Sequence, residues 1–155
     1  MNHVVVREVV AGDVPAVVAL VTRVLAEFGL VFGVGAATDD QLHALPGSYR
    51  EAGGRFWVAV DGDQLLGTCG VFPVAEGDLE LRKMYLDGTA RGHGVGKLLL
   101  DEAVSFARSV GARRLVLDTV DEMTQAIRFY EANGFVRDDA QLRGSRCTRG
   151  YARRL

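Results

Sequence analysis

The stretch Arg91-Gly92-His93-Gly94-Val95-Gly96-Lys97 holds the residues best suited to chemistry on a phosphorylated ligand. Glycines at alternate positions let the main chain approach a bulky anion without Cβ atoms in the way. A helix expected to begin at Val95 aims its first unpaired N–H groups, and the positive end of its dipole, into the same loop. Arg91 and Lys97 flank the turn with positive charge. The pattern is a cradle for a phosphate or pyrophosphate, set against the plainer reading of a simple strand-to-helix turn. A P-loop is excluded, because it needs glycine at 91 and Ser or Thr at 98, which are Arg and Leu. The dinucleotide fingerprint fails too, since its third glycine would fall on Lys97 or Leu99.

Such a loop acts only if flanking elements hold it. Asp78 to Leu86 reads as the strand that enters it, and Val95 to Val110 as the helix that leaves, with Leu99, Ala103, Phe106, Ala107 and Val110 at helical spacing and Gly111 as the stop. Upstream, residues 3–9 read as a strand within an N-terminus, Met1 to Arg7, that carries no secretory pattern. Asp13 is placed to cap a helix whose stripe is Val14, Val17, Val18, Val21, Val24, Leu25 and Phe28. A short helix is expected near Thr38. Arg55–Asp61 and Gln64–Val74 form a strand pair across an Asp-Gly-Asp turn. Downstream come a buried strand over Arg113–Asp118, a helix over Glu122–Ala132, a strand starting at Phe135 and a last strand over Arg146–Arg153. This order predicts one α/β domain over 1–155, with helices on both faces of a single sheet.

Composition narrows the function. The 155 residues carry a net charge of −2, which argues against nucleic acid as the main partner. The longest apolar run, Val14 to Val21, is far too short to span a membrane, so a cytoplasmic location is expected. Two cysteines, Cys69 and Cys147, form no metal pattern and read as free thiols.

Two segments together resemble a known family. Glu80-Leu81-Arg82-Lys83-Met84-Tyr85-Leu86 followed by Arg91-Gly92-His93-Gly94-Val95-Gly96 resembles the acetyl-CoA-binding motif of the GNAT superfamily of N-acetyltransferases. At the right distance, Ala126 to Phe135 is similar to that family's closing helix, with its Tyr-Glu-x-x-Gly-Phe ending. The resemblance implies a mixed, mostly antiparallel sheet of about six to seven strands with a splayed central parallel pair. It implies acetyl-CoA as cosubstrate and no metal. The pantetheine arm would lie along the main chain of Met84, Tyr85 and Leu86, and the pyrophosphate on N–H groups from Gly92 through His93, Gly94, Val95 and Gly96 to Lys97, beside Arg91.

The same resemblance assigns roles in acetyl transfer. Tyr130 would donate a proton to the leaving sulfur, and the Met84 N–H would stabilise the oxyanion. Glu80 is the candidate general base. Strand alternation puts it on the same face as Met84, though Arg82 shares that face and offers a plain ion pair. Asp118 is a second choice. Many relatives carry an Asn where this chain has Met123, a departure from the family pattern at a side chain that contacts the cofactor. The implied activity is acetylation of a primary amine, of a small molecule, by direct transfer in a ternary complex; a protein acetyltransferase and a non-catalytic CoA-binding regulatory domain are the alternatives. His93 reads as solvent-facing. The arginines at 143, 146, 149, 153 and 154 read as the outward face of an edge strand, with a site for an acidic substrate or the CoA 3′-phosphate as the alternative. The apolar segment Phe28 to Phe32 suits either a lid or a homodimer surface.

Overall fold

The computed structural model describes residues 3–155. The strands are β1 (Val4–Glu8), β2 (Arg55–Asp61), β3 (Gln64–Ala75), β4 (Asp78–Leu86), β5 (Arg114–Thr119), β6 (Val136–Arg137) and β7 (Arg149–Arg154). Among the described residues they form a seven-stranded sheet in the order β1-β2-β3-β4-β5-β7-β6. The helices are α1 (Val14–Glu27), α2 (Gly47–Arg50), α3 (Val95–Ser109) and α4 (Thr124–Ala132). Met1 and Asn2, which open the N-terminal stretch read above as free of a secretory pattern, lie outside the described residues.

Every neighbouring pair is antiparallel except β4–β5. The sheet is buried on both faces, as alternation along β2 makes plain. Phe56 and Val58 pack with Val17, Val21 and Leu25 of α1, while Trp57 and Ala59 pack with Leu99, Leu100 and Ala103 of α3. Each fully buried leucine or phenylalanine contributes about 1.5–3 kcal/mol, so the two apolar faces clamp α1 and α3 onto opposite sides.

Three expectations change in detail. Asp13 stands at the start of α1 but makes no capping bond. The position two residues on is Pro15, which has no N–H to donate. Its carboxylate instead accepts from the Val10 N–H at 2.8 Å and from Arg7 at 2.8 and 2.9 Å. The helix expected near Thr38 is a 3₁₀ segment, Ala37–Ala44. The last strand is not an edge: β7 lies between β5 and the two-residue β6.

The feature that matters for function is where β4 and β5 part. They pair only from Asp78–Glu80 to Arg114–Val116. Beyond that, β4 continues to Leu86 against β3 alone, and β5 to Thr119 against β7 alone. The two strands therefore diverge into a slot, with a main-chain edge exposed on each side.

Candidate active site

β4 carries an irregularity inside this slot. Gly70 faces Arg82 and Thr68 faces Tyr85, so Lys83 and Met84 together oppose Cys69. One extra residue in the strand is a β-bulge. Lys83 takes it up with φ +53, in the left-handed region that costs a non-glycine residue about 1–3 kcal/mol. The Thr68 hydroxyl donates to the Lys83 carbonyl at 2.7 Å and helps fix the turn. The bulge also reverses which side chains face which way. Leu79 and Leu81 pack on the α3 side, and so do Met84 and Leu86. Arg82 lies over the Phe72 ring on the other side, 4.2 Å from its centroid, hydrogen-bonded to Glu80 at 2.6 Å. Alternation had placed Glu80 and Met84 on one face; the inserted residue separates them.

The glycine turn forms as expected. Gly92 and Gly94 have φ of +80 and +78, which side chains with a Cβ rarely adopt. Space is open around both, so conformation, not crowding, demands glycine there. Gly94 is the residue before α3, and Leu98 is the donor to its carbonyl, at 3.2 Å. The N–H groups of Val95, Gly96 and Lys97 are thus left without helical partners. A cavity of about 650 Å³ runs along this turn, lined by Met84, Tyr85, Leu86, Arg91, Gly92 and Gly96 of the expected set, with Phe28, Ala126, Phe129 and Tyr130 opposite.

The remaining expected residues sit differently. His93 and Gly94 are exposed and outside the cavity lining, while the Val95 side chain is buried in the core. Lys97 pairs with Asp101 along the outer face of α3, both 56% exposed. Arg91 donates to Glu27 at 2.7 Å and to the Leu86 carbonyl at 3.3 Å.

A second cavity of about 520 Å³ lies across the slot. Glu80, Arg82, Lys83, Asp118, Arg143, Arg146 and Cys147 line it, with the segment from Gly33 to Thr38. Met84, Tyr85, Met123 and Tyr130 line both cavities, so the two meet at that wall. Glu80 is buried, with Oε1 on Arg82 at 2.6 Å and Oε2 on Arg143 at 3.4 Å. Asp118 accepts the main-chain N–H groups of Arg143 and Gly144 on one oxygen, each at 2.8 Å. The Tyr130 hydroxyl has no hydrogen-bond partner among the described residues. Burial, with Tyr85 and Cys69 nearby, holds that phenol well above its usual value. Burial and the adjacent Asp118 push the Cys147 thiol up to about 12.

Several of these residues escape a reading of the sequence. Lys83 reaches Asp39, which also takes the Gly33 N–H at 2.8 Å and Arg146 at 3.1 and 3.3 Å. Arg143 and Arg146 face the cavity and not a strand's outer surface. Lys83 alone left a signal: a cation that strand alternation puts on the same face as Leu79 and Leu81.

A splayed parallel pair, a glycine turn capping a helix and two cavities meeting between them define an acyl-transfer fold. The profile of the Acetyltransferase (GNAT) family matches residues 24–135, and the chain belongs to that family. It is 34% identical over 142 residues to the uncharacterized N-acetyltransferase YjgM of Escherichia coli K12, covering 89% of this chain and 85% of that protein. An acetyltransferase of the GNAT family from Staphylococcus aureus Mu50 superposes with a TM-score of 0.89 at 24% identity over 99% of each chain. The PaiA N-acetyltransferase of Thermoplasma acidophilum, solved in complex with coenzyme A, superposes with 0.76 at 18% identity over 99% of each. The protein is an acyltransferase.

Proposed function

We propose that the protein moves an acetyl group from acetyl-CoA to a primary amine of a small molecule, by direct attack in a ternary complex. The observation that carries this reading is the shared wall of Met84, Tyr85, Met123 and Tyr130, where a cavity backed by a helix N-terminus opens into one lined by charged side chains. The first suits CoA. Its pyrophosphate finds unpaired N–H groups at the start of α3, and its amide arm finds the free edge of β4. The complex of the Thermoplasma relative with coenzyme A supports this choice of donor.

In the transfer, the amine nitrogen attacks the thioester carbonyl carbon and the carbon–sulfur bond breaks. One proton leaves the nitrogen and one ends on the sulfur. An amine with a pKa near 10 costs about 4 kcal/mol to present unprotonated at pH 7, so a base nearby matters. Glu80 takes that proton directly or through water, and Asp118 is the second carboxylate in the cavity. The Met84 N–H stabilises the developing oxyanion. Tyr130 retains its proton because burial disfavours the phenolate, and it offers its hydroxyl to the leaving thiolate. A thiol pushed up to about 12 is almost wholly protonated at neutral pH, so Cys147 makes a poor acyl carrier, which supports direct transfer.

The test is thiol release from acetyl-CoA across a panel of primary amines, with acetylated products identified by mass. Release no faster than spontaneous hydrolysis with every amine, while CoA still binds, would replace this reading with regulatory CoA binding.

A further inference from the structure

The acceptor cavity has an excess of positive charge, which a site for a bare ammonium should lack. Arg82, Lys83, Arg143 and Arg146 line it against Glu80 and Asp118, and buried Asp39 behind them still leaves the cations ahead by one. Amines arrive mostly as cations, so this lining repels diamines and polyamines.

The four cations are not equivalent. Lys83 and Arg146 are committed to Asp39, and Arg146 also donates to the Val34 carbonyl at 3.2 Å. Arg82 is held by Glu80 at 2.6 Å, by Gln41 at 3.1 Å and by stacking on Phe72. Arg143 differs. All its side-chain contacts run through one nitrogen, Nη1, to Glu80, the Gln141 carbonyl and Gln141 Oε1, at 3.4, 3.2 and 3.2 Å. Its Nε and Nη2 donors have no partner among the described residues, and the side chain is 35% exposed. Its main chain, by contrast, is fixed by the 2.8 Å bond to Asp118. A loosely held guanidinium with two parallel donors free, on an anchored backbone, is built to take a carboxylate side-on.

Resting on the transferase reading, we infer that the acceptor is an amine that also carries a carboxylate, an amino acid in the chemical sense, and that Arg143 is the residue that selects it. The carboxylate seats on Nε and Nη2 of Arg143, and the amine then faces Glu80 and the slot. With its ammonium and carboxylate together, such an acceptor carries no net charge and so escapes the repulsion that the excess cation imposes on a bare ammonium.

The experiment measures kcat and KM by thiol release for acceptors paired by loss of the carboxylate, such as phenylalanine with phenethylamine and lysine with cadaverine, plus the matching aminophosphonates. The wild type should prefer the acid in at least one pair by about tenfold or more in kcat/KM, the size of one charge-assisted hydrogen bond. Arg143→Gln should raise KM for that acid by about the same factor while leaving the KM of its decarboxylated partner within about threefold. Arg143→Lys should recover part of the loss, since it keeps the charge and not the fork. Equal use of acid and amine by the wild type, or an equal loss on both in Arg143→Gln, overturns the inference while the transferase reading stands. Preference for the aminophosphonate overturns the carboxylate assignment. No thiol release from any acceptor overturns the transferase reading and the inference with it.

Discussion

The Lys83 ammonium donates to the Asp39 carboxylate inside the protein, with the two side chains 5% and 0% exposed. This pair ties the strained bulge of β4 to the segment that walls the charged cavity. Asp39 also holds Arg146 and the Gly33 N–H, so one carboxylate gathers three parts of the chain distant in sequence. Removing it leaves a buried cation beside a second one. Breaking a buried pair by deleting one partner costs about 3–5 kcal/mol. Asp39→Asn should lose stability in that range by urea unfolding; a loss under about 1 kcal/mol, the size of a surface pair, would show that the pair is not structural.

Acid should weaken the protein through the same group. Burial alone would raise the Asp39 pKa, but Lys83, the Gly33 N–H and Arg146 outweigh it and hold the carboxyl below its ordinary value. Arg114 does the same for Asp78, and Arg7 for Asp13. A folded pKa below the unfolded one means that stability is fully present above the unfolded value of about 4 and is lost as pH falls through the folded value. Unfolding free energy measured from pH 7 to 2 should therefore be level at first and then drop below about pH 4, with a shallower drop in Asp39→Asn. An identical slope in the variant would remove Asp39 from the account.

Tyr130→Phe deletes the hydroxyl and keeps the ring contacts with Phe129 and Phe135. Turnover should fall by about 10²-fold, within the usual range for a positioned proton donor. Affinity for CoA in calorimetry should stay within a few-fold. Unchanged kcat would exclude the hydroxyl from the reaction.

Gly94→Val asks a β-branched residue to hold φ +78 at the start of α3. The strain of about 1–2 kcal/mol falls on the turn and leaves the apolar stripe of α3 intact. Helical content by circular dichroism should survive, and the dissociation constant for CoA should rise by about tenfold or more. Normal affinity would contradict the cradle.

Glu80→Gln keeps shape and removes charge. If the carboxylate takes the amine proton, kcat/KM should drop and its acidic limb should disappear or move. A parallel profile of lower height would instead assign Glu80 to positioning Arg82 and Arg143.

Much of this architecture is legible in the chain because it rests on local rules. The α3 stripe from Leu99 to Ala107, the turn at Gly92 and Gly94, and the alternation Phe56-Trp57-Val58-Ala59 are set by residues within a few positions of one another. The glycine turn and the Tyr130 segment, taken together, identify the family for the same reason. Alternation failed at Lys83, where the outcome depends on Asp39 at a separation of 44 residues. It failed because a left-handed φ in a strand is unfavourable locally and is held by the pair, the Thr68 bond and the packing around them.

The arginines near the C-terminus show the same limit. By sequence, Arg143 and Arg146 belong with Arg149 and Arg153. In the fold, Asp118 draws the loop at 143 and 144 across the mouth of the slot, while Arg149 stays with Asp121 at 2.7 Å. The glycine turn feeding α3, and the central strand that enters it, follow from residues close together in the chain. Which of four clustered cations keeps free donors follows from packing between distant segments, because it depends on where their carboxylates come to rest.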